Sequence, residues 1–229
     1  MKITFISDTH TKHEEIRKDL PGGDLIIHAG DLMNSGYEPI DITRFVSWYS
    51  SLLTMDYKHR VFIAGNHDRM FEDNPELTKE LINAYSGGLI YLQDQTHVID
   101  GVKIYGSPWQ PAFYDWAFNL PRCGQDLMRV WNAIPNDTDI LITHGPAWGH
   151  LDTIKGHSVP LGCELLSERL KTLKPKIHVF GHIHTGYGYK FDGTTHFFNA
   201  AILDERYNFT QKPFTVDWNP ETNEIVWEE

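Results

Sequence analysis

The feature that most constrains this chain is a recurrence: short apolar runs end, again and again, in Asp, His, Asn and Gly. Lys2–Ile6 is followed by Ser7-Asp8-Thr9-His10, Asp24–His28 by Gly30-Asp31, and Arg60–Ala64 by Gly65-Asn66-His67-Asp68. Asp139–Thr143 leads into His144-Gly145, and Ile177–Phe180 into Gly181-His182-Ile183-His184. Runs this short, apolar at both parities, predict strands buried on both faces. In α/β sheets, ligands sit beyond the carboxyl ends of such strands. Five strands therefore deliver one set of polar side chains to one sheet edge.

Between the runs lie helical patterns. Ile42, Phe45, Val46, Tyr49 and Leu53 share one helix face. Pro75–Ser86 begins with Pro in the first turn, behind Asn74 as cap, and stops before Gly87-Gly88. Leu166, Leu170 and Leu173 form another stripe, ended by Pro175. Val102–Tyr105 is a sixth strand, and Thr195–Phe198, Phe214–Asp217 and Glu224–Trp227 read as strands joined by turns. The alternation predicts an α/β layered domain with a mixed sheet or a sheet sandwich. No linker, repeat or charge run interrupts it, so residues 1–229 read as one domain. Gly106–Arg122, aromatic and Pro-rich, reads as a functional loop or an ordered cover over the core.

Composition excludes several classes. A chain that is 41% hydrophobic and 22% charged can bury a core, which excludes wholesale disorder. No run approaches the ~20 apolar residues of a spanning helix, so no membrane partner is expected. The start of the chain turns polar too soon for a secretory signal, and Cys123 and Cys163 make no disulfide framework. A cytoplasmic location is expected. With 20 basic against 31 acidic residues the formal charge is −11, which disfavours extended nucleic acid as a partner.

Carboxylate, imidazole and amide oxygen together suit Mn, Fe, Zn or Co. Cysteine is absent from the set, unlike a structural zinc knot. Asp8-x-His10 and His182-x-His184, read as extended segments, point alternate side chains the same way. Glycines 30, 65 and 181 let the backbone turn sharply where the side chains converge. One carboxylate can bridge two ions about 3.5–4 Å apart, the spacing used for in-line attack on phosphorus.

The ordered set Asp8-x-His10, Gly30-Asp31, Gly65-Asn66-His67-Asp68, Thr143-His144 and Gly181-His182-Ile183-His184 resembles the calcineurin-like metallophosphoesterase superfamily. Ile104-Tyr105-Gly106-Ser107-Pro108-Trp109-Gln110-Pro111, Phe118-Asn119-Leu120-Pro121-Arg122 and the run from His178 to Gly188 are similar to its metallophosphoesterase-domain-containing branch, related to class III cyclic nucleotide phosphodiesterases. The resemblance implies a two-sheet β-sandwich flanked by helices, in four layers. It implies two divalent ions, Mn first and Fe, Zn or Co as alternatives. Asp8, His10 and His184 would hold one, and Asn66, His144 and His182 the other, with Asp31 bridging. His67 would lie over the substrate, stabilising phosphoryl oxygens or protonating the leaving group. The implied activity is hydrolysis of a small nucleotide-like phosphate ester, a diester before a monoester, by in-line attack of a metal-bridging hydroxide. The alternatives are a phosphomonoesterase, a nuclease, or a nucleotide-binding scaffold of the same fold with little activity.

One departure narrows the substrate. Ser/Thr protein phosphatases of this superfamily carry Gly-Asp-x-Val-Asp-Arg-Gly at the second block. Here the segment is Gly30-Asp31-Leu32-Met33-Asn34-Ser35-Gly36, without the arginine that grips phosphate or the acid that partners the catalytic His. Substrate contacts are expected from Asn66, His67, Trp109 and Arg122. Trp109, Tyr114 and Trp116 either stack a base or roof the core, and Arg122 is either a phosphate contact or a surface charge. Asp68 either orients His67 or serves as a turn or cap carboxylate. His150, soon after His144, is expected to support the ligands, with His28 and His196 next in line. Histidines 13, 59, 97, 157 and 178 read as ordinary.

Overall fold

The structure is a computed structural model that describes residues 1–85, 88–154, 156 and 159–227. Ser86, Gly87 and His157 lie outside the described residues. The strands are β1 (Lys2–Ile6), β2 (Leu25–His28), β3 (His59–Phe62), β4 (Leu89–Tyr91), β5 (Gln95–Ile99), β6 (Val102–Ser107), β7 (Gln110–Pro111) and β8 (Asn119–Leu120). They continue as β9 (Ile140–Thr143), β10 (Ile177–Phe180), β11 (Gly188–Phe191), β12 (His196–Asn199), β13 (Phe214–Asn219) and β14 (Glu224–Trp227). The helices are α1 (Pro39–Ser51), α2 (Arg69–Asp73), α3 (Pro75–Asn83), α4 (Gln125–Asn132) and α5 (Glu164–Leu173).

Two six-stranded sheets form, in the orders β14-β13-β1-β2-β3-β4 and β11-β12-β10-β9-β6-β5. Strands β1 to β4 are parallel in the first, and β6, β9, β10 and β12 in the second. The period-2 alternation of strand side chains explains the layering. Ile3, Phe5, Leu25, Ile27 and Val61 of the first sheet pack against Ile104, Ile140, Ile142, Ile177 and Val179 of the second. Their neighbours point the other way. Ile6, Ile26 and Phe62 meet Phe45, Val46 and Tyr49 of α1, while Leu141 and Phe180 meet Leu127 and Trp131 of α4 and Leu166 and Leu170 of α5. The result is helix, sheet, sheet, helix, the expected two-sheet sandwich. No helix among the described residues is long and apolar enough to cross a membrane.

Local details differ from expectation. Helix α1 stops at Ser51 and continues as a 3-10 turn, Leu52–Met55. The tighter turn shifts the phase by one residue, so Leu52 is buried and Leu53 is 53% exposed. Asn74 makes no side-chain cap bond to α3; its carbonyl instead accepts the Thr78 hydroxyl at 3.0 Å. Strands β4, β5 and β11 lie at or beside sheet edges, where half-exposed positions lack the apolar runs that mark central strands.

Among the histidines outside the conspicuous blocks, His13 is buried against Phe45 and Trp48, His28 against Phe45 and Tyr49, and His178 against Phe180 and Phe197. Burial disfavours their charged forms, pushing His13 down to about 4, His28 to about 3, and His178 well below 6.5. The unfolded chain therefore binds protons that the folded chain refuses, and stability must fall as pH drops below about 6.5. We expect a loss of about 1–2 kcal/mol per histidine between pH 6.5 and 5, measured by urea unfolding of chelator-treated protein. A flat profile across that window would contradict the burial argument.

Candidate active site

The carboxyl ends of β1, β2, β3, β9 and β10 place Asp8, His10, Asp31, Asn66, His67, His144, His182 and His184 at one edge of the sandwich. The convergence does not come from strand alternation. Asp8, His10, Asp31 and His182 all lie in the left-handed region, at φ 54°, 41°, 56° and 66°. Each such residue costs roughly 1–2 kcal/mol, a strain that gathers at functional sites. Nor do the glycines all serve as turns. Gly65 and Gly181 lack positive φ; instead, a Cβ on Gly65 would run into Asp31 and one on Gly181 into the Asp8 carboxylate. They are small because carboxylates press on them.

Asp8, His10 and His184 offer ligand atoms within 4.8 Å of one another, as do Asp8, Asp31 and His144, and also His10, Asp31 and His67. Asp31 thus belongs to two of these three groups. It accepts the His67 backbone N–H at 2.8 Å, and its carboxylate lies 3.3 Å from His144 Nε2 and 3.7 Å from His10 Nε2. Asp8 accepts the His182 backbone N–H at 3.0 Å and lies 3.3 Å from His184 Nε2. Asn66 Oδ1 sits between two imidazoles, 2.9 Å from His144 Nε2 and 2.7 Å from His182 Nδ1.

The ring orientations test whether these groups suit cations. Nδ1 of His10, His144 and His184 faces a backbone carbonyl, of Met33 at 3.1 Å, Ala29 at 2.9 Å and Asp204 at 2.9 Å. A carbonyl only accepts, so Nδ1 carries the proton and the neutral ring turns the Nε2 lone pair inward. There it meets carboxylate or amide oxygens, lone pair against lone pair. A proton or a metal ion must lie between them. Buried His10 Nε2 has no hydrogen-bond partner, and ligand imidazoles anchored through their other nitrogen are the usual metal-site pattern. The donor set therefore fits divalent ions. Without them, protons fill the gap: burial opposes charge on His144 and His184, but Asp31 and Asp8 respectively overcome it and raise each to about 9.

His67 is held differently. Its Nδ1 donates to the Asn34 carbonyl at 2.5 Å, and its ring lies against Trp116, with centroids 4.1 Å apart. Asp68 does not touch it. The Asp68 carboxylate is fully buried and accepts the N–H groups of Leu32, Met33 and Gly65 at 3.3, 2.8 and 2.7 Å. It ties the loop after β2 to the loop after β3. Burial and the nearby Asp31 charge push its pKa up to about 8. Asp68→Ala would strand three buried donors, so we expect a loss of about 2–4 kcal/mol of stability. A denaturation midpoint indistinguishable from the parent's would refute that role.

A cavity of ≈ 350 Å³ opens over these groups, lined in part by Asp31, Asn66, His67, Gln110 and Arg122. Arg122 faces it but is engaged with its wall, donating to the carbonyls of Leu161 and Gly162 and to the Glu164 carboxylate. Trp109 does not line it; the indole N–H donates to Asp94 at 2.7 Å and the ring packs edge-on to Phe118. His150 stacks on Phe197 at 4.0 Å, on the helix side of the second sheet, with none of the ligand set. His196 bonds Tyr189 and the Asn223 carbonyl, also away from the site. His28 does reach the site's support, through Thr9 Oγ1 at 2.9 Å, and so does His178, through Thr143 Oγ1 at 2.8 Å. Tyr207, which no sequence motif marked, packs its ring against His10 and His184.

A sandwich whose two sheets deliver carboxylates and imidazoles to one edge is the arrangement of a metal-dependent phosphoesterase, and residues 1–186 match the family model for calcineurin-like phosphoesterases. The chain belongs to that family. It is 40% identical over 236 residues to human metallophosphoesterase domain-containing protein 1, covering 94% of this chain and 70% of that one. Among solved structures it resembles a protein of Thermus thermophilus, with TM-score 0.65 at 14% identity, covering 100% of this chain and 98% of that one. It also resembles a chain described as a novel archaeal phosphodiesterase, with TM-score 0.50 at 17% identity and 99% and 98% covered.

Proposed function

We propose that this metal-dependent phosphoesterase is a dinuclear phosphodiesterase for a small, nucleotide-like ester. In this reading Asp8, His10 and His184 hold one cation, Asn66, His144 and His182 the other, and Asp31 is shared. The observation that carries it is the set of inward lone pairs on anchored imidazoles facing Asp8, Asp31 and Asn66. Divalent cations there would acidify water and neutralise charge on a phosphoryl group. The protein's own backbone supplies the rest. Backbone carbonyls of Met33, Ala29 and Asp204 keep the ligand rings aimed. Asn34 keeps Nδ1 of His67 occupied, leaving Nε2 for the substrate.

The absence of the phosphatase-type arginine at Gly30–Gly36 and the pairing of Arg122 with its own cavity wall leave no free guanidinium among the described cavity-lining residues for a phosphate dianion. A diester carries one charge fewer and fits that lining better. The test is turnover of bis-p-nitrophenyl phosphate against p-nitrophenyl phosphate after Mn²⁺ loading, followed by 2′,3′- and 3′,5′-cyclic nucleotides. Faster diester cleavage is expected. Turnover of neither ester would leave a nucleotide-binding scaffold as the better account.

A further inference from the structure

A second cleft, of ≈ 620 Å³, also borders His67. Tyr37, Tyr114 and Trp116 are its own walls, and it shares His67, Phe113 and Tyr207 with the metal-facing cavity. None of the seven proposed metal ligands lines it. Of the three shared residues, His67 is the imidazole, so a group lying there sits beside the proton donor of the proposed reaction. That is the situation of a leaving group, which must touch a proton donor and depart from the cations.

The cleft's chemistry is that of a ring site. Tyr37 is 59% exposed and Tyr114 83% exposed, so neither ring is spent on core packing. Tyr114 adopts φ 49°, a conformation that is unusual for a bulky residue and persists where the surroundings impose it. Asn119 imposes it, donating its amide to the carbonyls of Phe113 at 3.3 Å and Tyr114 at 2.9 Å. The cleft's carboxylate, Asp115, is paired with Arg69 at 3.5 Å, and no Lys or Arg is among its described lining residues. A second phosphate has nothing to bind there; a flat uncharged ring does.

We propose that this outer cleft binds the leaving group of a phosphodiester as a flat, uncharged ring, while the metal-facing cavity holds the phosphoryl group and the retained arm. The inference rests on the phosphodiesterase reading above. In the step, water forms the new P–O bond and loses a proton to solvent. The P–O bond to the leaving group breaks, and that oxygen takes the Nε2 proton of a doubly protonated His67 ring, which solvent then restores, so a diester and water become a monoester and an alcohol or phenol.

Two esters with the same leaving group separate the arms: methyl p-nitrophenyl phosphate, whose one ring departs, and phenyl p-nitrophenyl phosphate, which adds a ring to the retained arm. The Mn²⁺-loaded Tyr37→Ala/Tyr114→Ala variant should raise KM about tenfold on both esters, the loss expected for removing ring contacts. Leu161→Ala, in the metal-facing cavity, should raise KM more on the phenyl ester than on the methyl ester. Both variants alter exposed side chains, and unchanged urea midpoints verify that they fold. If the double variant leaves KM unchanged on the methyl ester, or raises it only on the phenyl ester, the outer cleft does not hold the leaving group and the phosphodiesterase reading stands. If the unaltered protein cleaves neither ester, both readings fall.

Discussion

Replacing Asp31 by Ala is expected to reduce phosphodiester turnover by at least about 10³-fold, because the several kcal/mol that bound cations contribute depend on their being held together. Asp31 is 2% exposed, and its carboxylate approaches His10, His144 and the His67 backbone N–H together. Removing it takes one anion from each of two ligand groups. It also relaxes the close approach for which Gly65 has no side chain. Metal content after Mn²⁺ saturation separates this effect from simple damage. The parent should hold two ions per chain and Asp31→Ala at most one. Two tightly held ions in the variant would remove Asp31 as the bridge. Asp68→Ala, by contrast, should lose stability while retaining its ions, since Asp68 spends its oxygens on Leu32, Met33 and Gly65.

The second large effect belongs to His67. A positioned general acid contributes typically 10²–10⁴-fold, and most where the leaving group is poor. With Nδ1 occupied by the Asn34 carbonyl and one ring face covered by Trp116, the imidazole is fixed with Nε2 as its free nitrogen. His67→Asn should therefore slow a nucleoside alkyl diester by about 10²–10⁴-fold and a p-nitrophenyl ester far less, because p-nitrophenolate departs without a proton. Metal content should remain at two ions. Equal losses on both substrates, with both ions bound, would make His67 a support for the phosphoryl oxygens instead. A parallel loss of metal would assign it to the His10–Asp31–His67 group as a ligand.

The blocks that mark the site were legible because each is a short apolar strand followed by residues with metal-ligand chemistry, and such strands end where a parallel sheet collects its ligands. The geometry within the blocks was not legible in the same way. Asp8-x-His10 reads as strand alternation, yet both residues sit at positive φ. Asp and His enter the left-handed region more readily than most residues, but their type does not say which of them will, since the surrounding contacts decide it. Gly65 and Gly181 read as turn glycines, and they are sites of carboxylate contact. Asp68 reads either as a partner for His67 or as a turn or cap carboxylate, and adjacency does not separate the two; the fold turns its oxygens onto the loop backbone N–H groups of Leu32, Met33 and Gly65. Trp109 and His150 belong to aromatic and histidine-rich stretches, and only their hydrogen bonds and stacking partners separate them from the site.

What the sequence determined by itself is therefore where the central strands fall along the chain, the burial of both their faces, and the identity of the side chains gathered at the strand ends. These follow from local patterns: apolar periodicity, turn residues and the donor chemistry of single blocks. Tertiary structure alone decided which atoms hold the ligand rings and where a substrate's arms can lie. The partners that aim His10, His67, His144 and His184 are carbonyl oxygens of Met33, Asn34, Ala29 and Asp204, and every residue type carries a carbonyl. The rings around His67 come from Tyr37, the Phe113–Trp116 segment and Tyr207, three stretches far apart in the chain. A backbone acceptor and a long-range neighbour have no local signature, so only the folded chain reveals them.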